Sequence, residues 1–437
     1  MKWILTSAVG WGLMLYCLGQ PIQAQASSVR AVFFLPFTGS QADLALDLKT
    51  AAELAVQAMS GLNQDRLRLE FADNYNHPDS ARNTALRIAA EAEVKLFLGG
   101  YPSSCCRAIN DVAEERGIPH LIAAASDDQL TMRPNNWTFR LNPPSSDYND
   151  ALMSWMVKVV GNQRKLAVLN EDRAAFAAAL EDIKEDLHVH WSGETAILSY
   201  ASGTQDFIPI IKIIRDQKPA LIYLLGSGVS VARFLRQCRE ANYLPAAFVL
   251  GSAHLVSNRF ISLAAGAAEG ALAPMVWSAE TNRPGVPEFL QAFTEKTGAP
   301  LDYHAAEAYA AVQVAWSVGA RFKSPPSRED VRDALDQTDL NTVFGHVSFD
   351  SYKQFQRQNR TPTLAVQLQG EHWTVVWPPS QAEKQFGYPL RSWNKRDTPL
   401  KTASRDTWIA LIMIFIAGLA MLSAMLKHRN LTRKINR

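Results

Sequence analysis

The chain has 437 residues, 20% charged and 47% hydrophobic, with 44 Lys and Arg set against 42 Asp and Glu. A formal net charge of +2 leaves no electrostatic footprint for nucleic acid, and the composition is that of an ordinary globular protein. Four cysteines are too few for a disulfide framework.

Lys2, an apolar run from Ile4 to Gly19 and the Ala24-Gln25-Ala26 site make residues 1–26 a secretory signal peptide, cleaved after Ala26. The run is short for an N-terminal membrane anchor. The exported part then keeps three cysteines, Cys105, Cys106 and Cys238, so at least one thiol has no partner.

From here apolar strand-like runs alternate with helical stretches. The predicted strands are 29–35, 67–72, 94–100, 118–124, 165–170, 194–200, 220–226 and 246–251, and their near-continuous apolar character suits parallel strands buried on both faces. Asp79 is expected to cap the helix that follows it, with Ala81, Ala85, Ile88 and Ala89 on one face. Ser327 opens a Ser-x-x-Asp approximation to a capping box. Alternating strands and helices predict an α/β architecture, and there are too many strands for one modest sheet, so two lobes are expected. In such sheets ligands bind beyond the carboxyl ends of the strands. GGYPSS after one strand and AAASDD after the next are therefore placed to line a cleft.

GGYPSSCCRA, residues 99–108, packs two serines and two cysteines together. A nucleophile, a metal nest, a vicinal disulfide and a ligand-holding loop all remain open from these residues alone. Cys105 and Cys106 fall in a first helical turn, where small buried hydrophobes are the expected role. Cys238 is expected on a helix of the other lobe, away from both. HVH at 188–190 would place two imidazoles on one face of a strand, a pairing that usually faces solvent. G-x-S-x-G, H-E-x-x-H and P-loop motifs are absent, and GSGVSV at 226–231 lacks the third glycine of a dinucleotide fingerprint. An enzyme is not expected, nor a metal or cofactor.

Residues 378–407 read as a polar, proline-bearing tether. Trp408 to Leu426 is an uncharged apolar run of transmembrane length, followed by the basic tail 427–437. With an exported body, this run is a stop-transfer helix and the tail is cytoplasmic.

Several stretches together resemble the type I periplasmic binding proteins, in the branched-chain amino acid and amide receptor (leucine-binding protein-like) branch of ABC transporter substrate-binding proteins. They are LPFTG (35–39), ADNYNHPDSA (72–81), VAEERGIPHLIAAASDDQLT (112–131), WTFRLNPPSSDYNDAL (137–152), YASGTQDFIPIIKIIRDQKPALIYLLGSG (200–228), AAEAYAAVQVA (305–315) and FGHVSFD (344–350). The resemblance spans 29–377. It implies two Rossmann-like α/β lobes joined by three crossovers, lobe 1 from 28–142 and 273–350 and lobe 2 from 143–272 and 351–377. It further implies closure on a small molecule and delivery to an ABC transporter permease from an extracytoplasmic, periplasmic position. A ligand-sensing ectodomain or accessory receptor for a membrane partner is the alternative, and a scaffold without ligand a third reading.

By the same resemblance, Ser103 supplies a hydroxyl to the ligand's carboxylate or carbonyl, with a plain helix N-cap as its bland role. Ala124, through its backbone, and Ser126 are the matching groups on the next loop. In lobe 2 the family's tyrosine falls on Ser227, and its ammonium-binding acid falls on Ala253, with His254 beside it. A tyrosine-glycine pair is replaced by RAAFA (173–177). A buried ammonium without a carboxylate partner is costly, so the expected ligand lacks an α-ammonium.

Overall fold

The structure is a computed structural model that describes residues 28–60, 66–132, 135–279, 283–299 and 301–396. The expected signal peptide (1–26), the end of the tether (397–407), the Trp408–Leu426 run and the basic tail (427–437) lie outside the described residues. Among the described residues, no helix is long and apolar enough to cross a membrane.

Strands β1 (Val29–Leu35), β2 (Leu67–Asp73), β3 (Val94–Gly99), β4 (His120–Ile122) and β5 (Thr138–Arg140) belong to one half of the molecule. The next five are β6 (Leu166–Asp172), β7 (Thr195–Ala201), β8 (Leu221–Leu225), β9 (Ala247–Leu250) and β10 (Leu272–Met275). The last six are β11 (Asp339–Asn341), β12 (His346–Ser348), β13 (Asp350–Tyr352), β14 (Phe355–Gln358), β15 (Leu364–Gln369) and β16 (His372–Trp377). The chain divides into two compact units, changing from one to the other after Ala151, Pro274 and Leu364. Unit 1 holds a seven-stranded sheet in the order β13-β14-β5-β4-β3-β1-β2. Its five strands β2-β1-β3-β4-β5 pair in parallel, and β13 and β14 close one edge as an antiparallel hairpin. Unit 2 repeats the plan, β16-β15-β10-β9-β8-β6-β7, again with an antiparallel hairpin at one edge. The eight expected strands all form, with β4 shortened to three residues so that 123–128 become loop.

Both faces of the unit 1 sheet are covered, which is why its strands read as unbroken apolar runs. On one face the Ala42–Ser60 and Tyr303–Gly319 helices pack with Phe33, Leu96, Leu98 and Phe139. On the other, Pro78–Ala89 and Ser103–Arg116 cover Val32, Phe34 and Phe97. Small residues let these layers approach closely. A Cβ added at Gly319 would lie 2.2 Å from the Arg66 carbonyl oxygen.

Local signals mostly set the helix ends. Ser327 and Asp330 form the full reciprocal capping box expected there. Asp79 does not cap: Pro78, with its preset φ and no N–H to satisfy, starts the helix two residues earlier, leaving His77 at the cap and Asp79 in the first turn. HVH is not a strand either. The Ala174–His190 helix runs through it to Trp191, so His188 and His190, two positions apart, point to different sides of a helix.

The expected tether is docked where it is described. The Phe386 and Tyr388 rings meet Trp155 edge-on at 5.9 and 5.7 Å, and the Leu390 N–H donates to the Ala246 carbonyl at 2.8 Å. Trp393 is buried, with Nε1 donating to the Tyr243 carbonyl at 3.2 Å. Polar, proline-bearing sequence hid three aromatic anchors, because a span of scattered aromatics has no periodicity to read.

Candidate functional site

Each unit is described by itself. In unit 1, β3 ends at Gly99, and the loop through Tyr101 and Pro102 leads into the Ser103–Arg116 helix. Ser103 is the first helical residue, while Pro102 stands at the cap, so the plain N-cap role is corrected. The Ser103 hydroxyl instead accepts the Asp127 N–H at 3.3 Å, tying the β3 loop to the β4 loop. Asp127 also pairs with Arg107.

The β4 loop carries Ala124 and Ser126. Asn142 Nδ2 donates to the Ala124 carbonyl at 3.0 Å and to the Tyr148 hydroxyl at 2.8 Å. The Ser126 side chain lies close to the same hydroxyl. Ser103, Ala124 and Ser126 thus lie on adjacent loops at the carboxyl ends of adjacent parallel strands. Tyr101, from the β3 loop, packs edge-on to His304 at 5.9 Å, and His304 stacks on Tyr303 at 3.9 Å. Asn142, Tyr148, Tyr303 and Glu307 escaped the sequence reading. Only Glu307 left a signal: one acid in the otherwise apolar helical run AAEAYAAVQVA.

Cys105 and Cys106 are free and fully buried. Burial pushes the Cys105 thiol up to about 11 and Cys106 further still, so neither is a thiolate nucleophile at neutral pH. No group of three or more metal-ligating side chains occurs among the described residues. The two adjacent thiols are therefore neither a vicinal disulfide nor an activated pair. Cys238 is likewise free and buried, on the Gly228–Glu240 helix of unit 2.

In unit 2, Ser227 caps that helix, its side chain accepting the Ser230 N–H. The Ser227 N–H donates to Glu171 Oε2 at 2.8 Å, and the Ser202 hydroxyl donates to Glu171 Oε1 at 2.8 Å. Burial alone would raise the Glu171 carboxyl, but these donors, with Ser230, outweigh it and hold the group below its ordinary value. The helix N-terminus at Ser227 is therefore already answered by a carboxylate. Glu171 was missed because the acid ends an apolar strand rather than standing in a motif. Ala253 opens a short 3-10 turn, Ala253–Leu255, and brings no acid. His254 hydrogen-bonds Ser252 Oγ through Nδ1 at 2.6 Å and stacks near Phe176 of the RAAFA stretch at 6.3 Å. Its ring also lies close to the Gly226 backbone, so the β8 and β9 loops of unit 2 meet there.

A groove of about 510 Å³ runs along edge strand β2, lined by Arg30, Glu70, Arg87 and Glu91 among others. Arg30 is bridged there by Glu70 at 2.8 Å and Glu91 at 2.7 Å. Its charge is answered within the protein, and the groove extends to Asp73 and Tyr75 at the carboxyl end of β2.

Each of the two α/β units presents loops at the carboxyl ends of its parallel strands, the place where open α/β sheets take their ligands. The family model for periplasmic binding proteins matches residues 28–371, and the chain belongs to that family. It is 25% identical over 384 residues to the Leu/Ile/Val-binding protein homolog 8 of Brucella abortus (strain 2308), covering 82% of this chain and 93% of the relative. Similar folds include the substrate binding protein LivJ of a Streptococcus pneumoniae branched-chain amino acid transporter, in complex with isoleucine (TM-score 0.61, 18% identity, 78% of this chain and 95% of that one). An R. palustris ABC transporter solute binding protein in complex with benzoate is another (TM-score 0.59, 17% identity, 80% and 95%).

Proposed function

We propose that the chain is an extracytoplasmic solute receptor that closes on a small carboxylate- or carbonyl-bearing molecule lacking an α-ammonium and presents it to an ABC transporter permease. The observation that carries this reading is the linked pair of loops in unit 1, where the Asp127 N–H holds Ser103 and the Ser103 and Ser126 hydroxyls stand at adjacent strand tips. Such groups suit an anionic or carbonyl oxygen. Ala253 offers no acid where the family resemblance expects one, and Glu171 has both oxygens engaged by unit 2 donors. The neighbour bound to benzoate shows that this fold accommodates an acid without an ammonium.

Closure would follow from a solute contacting both units only in the closed state, which shifts the population by its differential affinity. Calorimetric titration of the full chain with isoleucine, leucine, benzoate and short carboxylic acids tests the proposal. Tight binding of leucine or isoleucine, with no binding of the ammonium-free acids, refutes the ligand class. For a ligand that binds, Ser103→Ala is expected to weaken affinity about tenfold, equivalent to about 1.4 kcal/mol, while unfolding free energy changes by about 1 kcal/mol or less. Unchanged affinity would move the site elsewhere.

Export by residues 1–26 and anchoring by residues 408–426 complete the proposal. A chain ending at Arg396 is expected to leave the membrane fraction and remain folded. One ending at Trp377 loses the Phe386, Tyr388 and Trp393 anchors and is expected to melt at lower temperature. Release of the full chain from membranes by salt alone would overturn the anchor. Equal melting of the two shortened chains would overturn the docking.

A further inference from the structure

Glu307 lies in the second turn of the Tyr303–Gly319 helix of unit 1 and is fully buried. Neither carboxyl oxygen has a hydrogen-bond partner among the described residues. Its neighbours along the helix, Ala305, Ala306, Ala308 and Ala310, are buried apolar residues, so packing alone does not call for an acid here. Leaving a buried polar group unsatisfied costs about 1–3 kcal/mol, and more if it is charged.

The position of that deficit matters. The Glu307 carboxyl is close enough to Tyr148 and Tyr303 for its charge to bear on both. Tyr148 in turn is hydrogen-bonded to Asn142 and lies close to Ser126, and Asn142 holds the Ala124 carbonyl. Glu307 therefore lies one tyrosine away from the proposed ligand loops, within the same unit. The acid that bears on it is Asp302, which His304 already engages at 2.8 Å.

We propose that Glu307 is the hydrogen-bond donor at the floor of the unit 1 ligand subsite, giving its carboxyl O–H to an oxygen of a small monocarboxylate whose apolar part lies against Tyr101, Tyr148 and Tyr303. The inference rests on the solute-binding reading above. Burial first, and the nearby Asp302 charge second, both disfavour the ionised form of Glu307 and favour the carboxylic acid. A carboxylic acid facing a ligand carboxylate makes a short charge-assisted hydrogen bond, stronger than a neutral one. An ammonium ligand would instead require Glu307 to lose its proton where Asp302 resists a second negative charge.

The test uses the full chain with benzoate and a panel of short monocarboxylates, and isoleucine as the ammonium-bearing control. Glu307→Gln keeps a neutral donor, whereas Glu307→Leu keeps volume without one. For the panel acid that binds best, Glu307→Gln is expected to bind at least tenfold more tightly than Glu307→Leu. Glu307→Leu is also expected to melt at or above the wild-type temperature, which separates lost binding from lost folding. Equal affinity of the two variants overturns the inference and leaves the solute receptor intact. Binding of isoleucine alone, abolished by Glu307→Gln, overturns it too, by making Glu307 a counterion. If no compound binds the wild-type chain, both readings fall.

Discussion

Replacing Arg140 by Met is expected to lower the unfolding free energy by about 3–5 kcal/mol, the range for breaking a buried charged network by removing one partner. Arg140 ends β5 and is fully buried. Its Nε donates to Gln358 Oε1 at 2.5 Å, Nη1 to the Asp127 carbonyl at 2.6 Å and Nη2 to Thr131 Oγ1 at 2.8 Å. Burial pulls its pKa down to about 10, so it is still a cation at neutral pH. Methionine fills much of the volume but strips the donor from three acceptors at once. The damage should reach the site, because Asp127 is also the residue whose N–H meets Ser103. Arg140→Lys keeps the charge but lacks the planar fork, and is expected to recover only part of the loss. Urea denaturation measures it. A change below about 1 kcal/mol would mean the network is not what holds the β4 loop.

The second large effect is on pH dependence. Burial first, and the Asp302 charge second, hold the Glu307 carboxyl well above the ordinary value of 4.5. Between 4.5 and that raised value, the native state keeps a proton that the unfolded chain has released. Stability from this group is therefore fully present below 4.5 and is lost as pH rises through the folded value. The slope approaches about 1.4 kcal/mol per pH unit for one proton. Tyr148 and Tyr303, the other titratable groups facing Glu307, are themselves raised by burial and stay neutral across this window. Urea midpoints of wild type and Glu307→Gln between pH 5 and 8 should diverge, with the variant flatter. Parallel curves would show that Glu307 is ionised throughout or exposed in solution.

Much of the scaffold was legible because it rests on short-range rules. Runs such as VRAVFFL and ALIYLLG could only be strands covered on both faces, and both are. Ser327 and Asp330 sit three residues apart, so their capping box could be read directly. Where two local rules competed, the reading failed. At Pro78–Asp79 the preset φ of proline won over the capping preference of aspartate. At HVH the helix simply outlasted the strand-like dipeptide alternation. The family pattern placed Ser103, Ser126 and Ser227 at strand tips, and each does lie there.

The sequence by itself determined the α/β order, the paired sheets and the burial of the three cysteines, since periodicity and side-chain size act on neighbours along the chain. Tertiary structure alone decided which distant groups meet. It set Glu171 against Ser227 across 56 positions, brought the described end of the tether onto Trp155, and left Glu307 without a partner among the described residues, beside Tyr148. The reason is that a buried carboxyl's charge state depends on which donors folding delivers to it, and no spacing rule along a chain encodes that delivery.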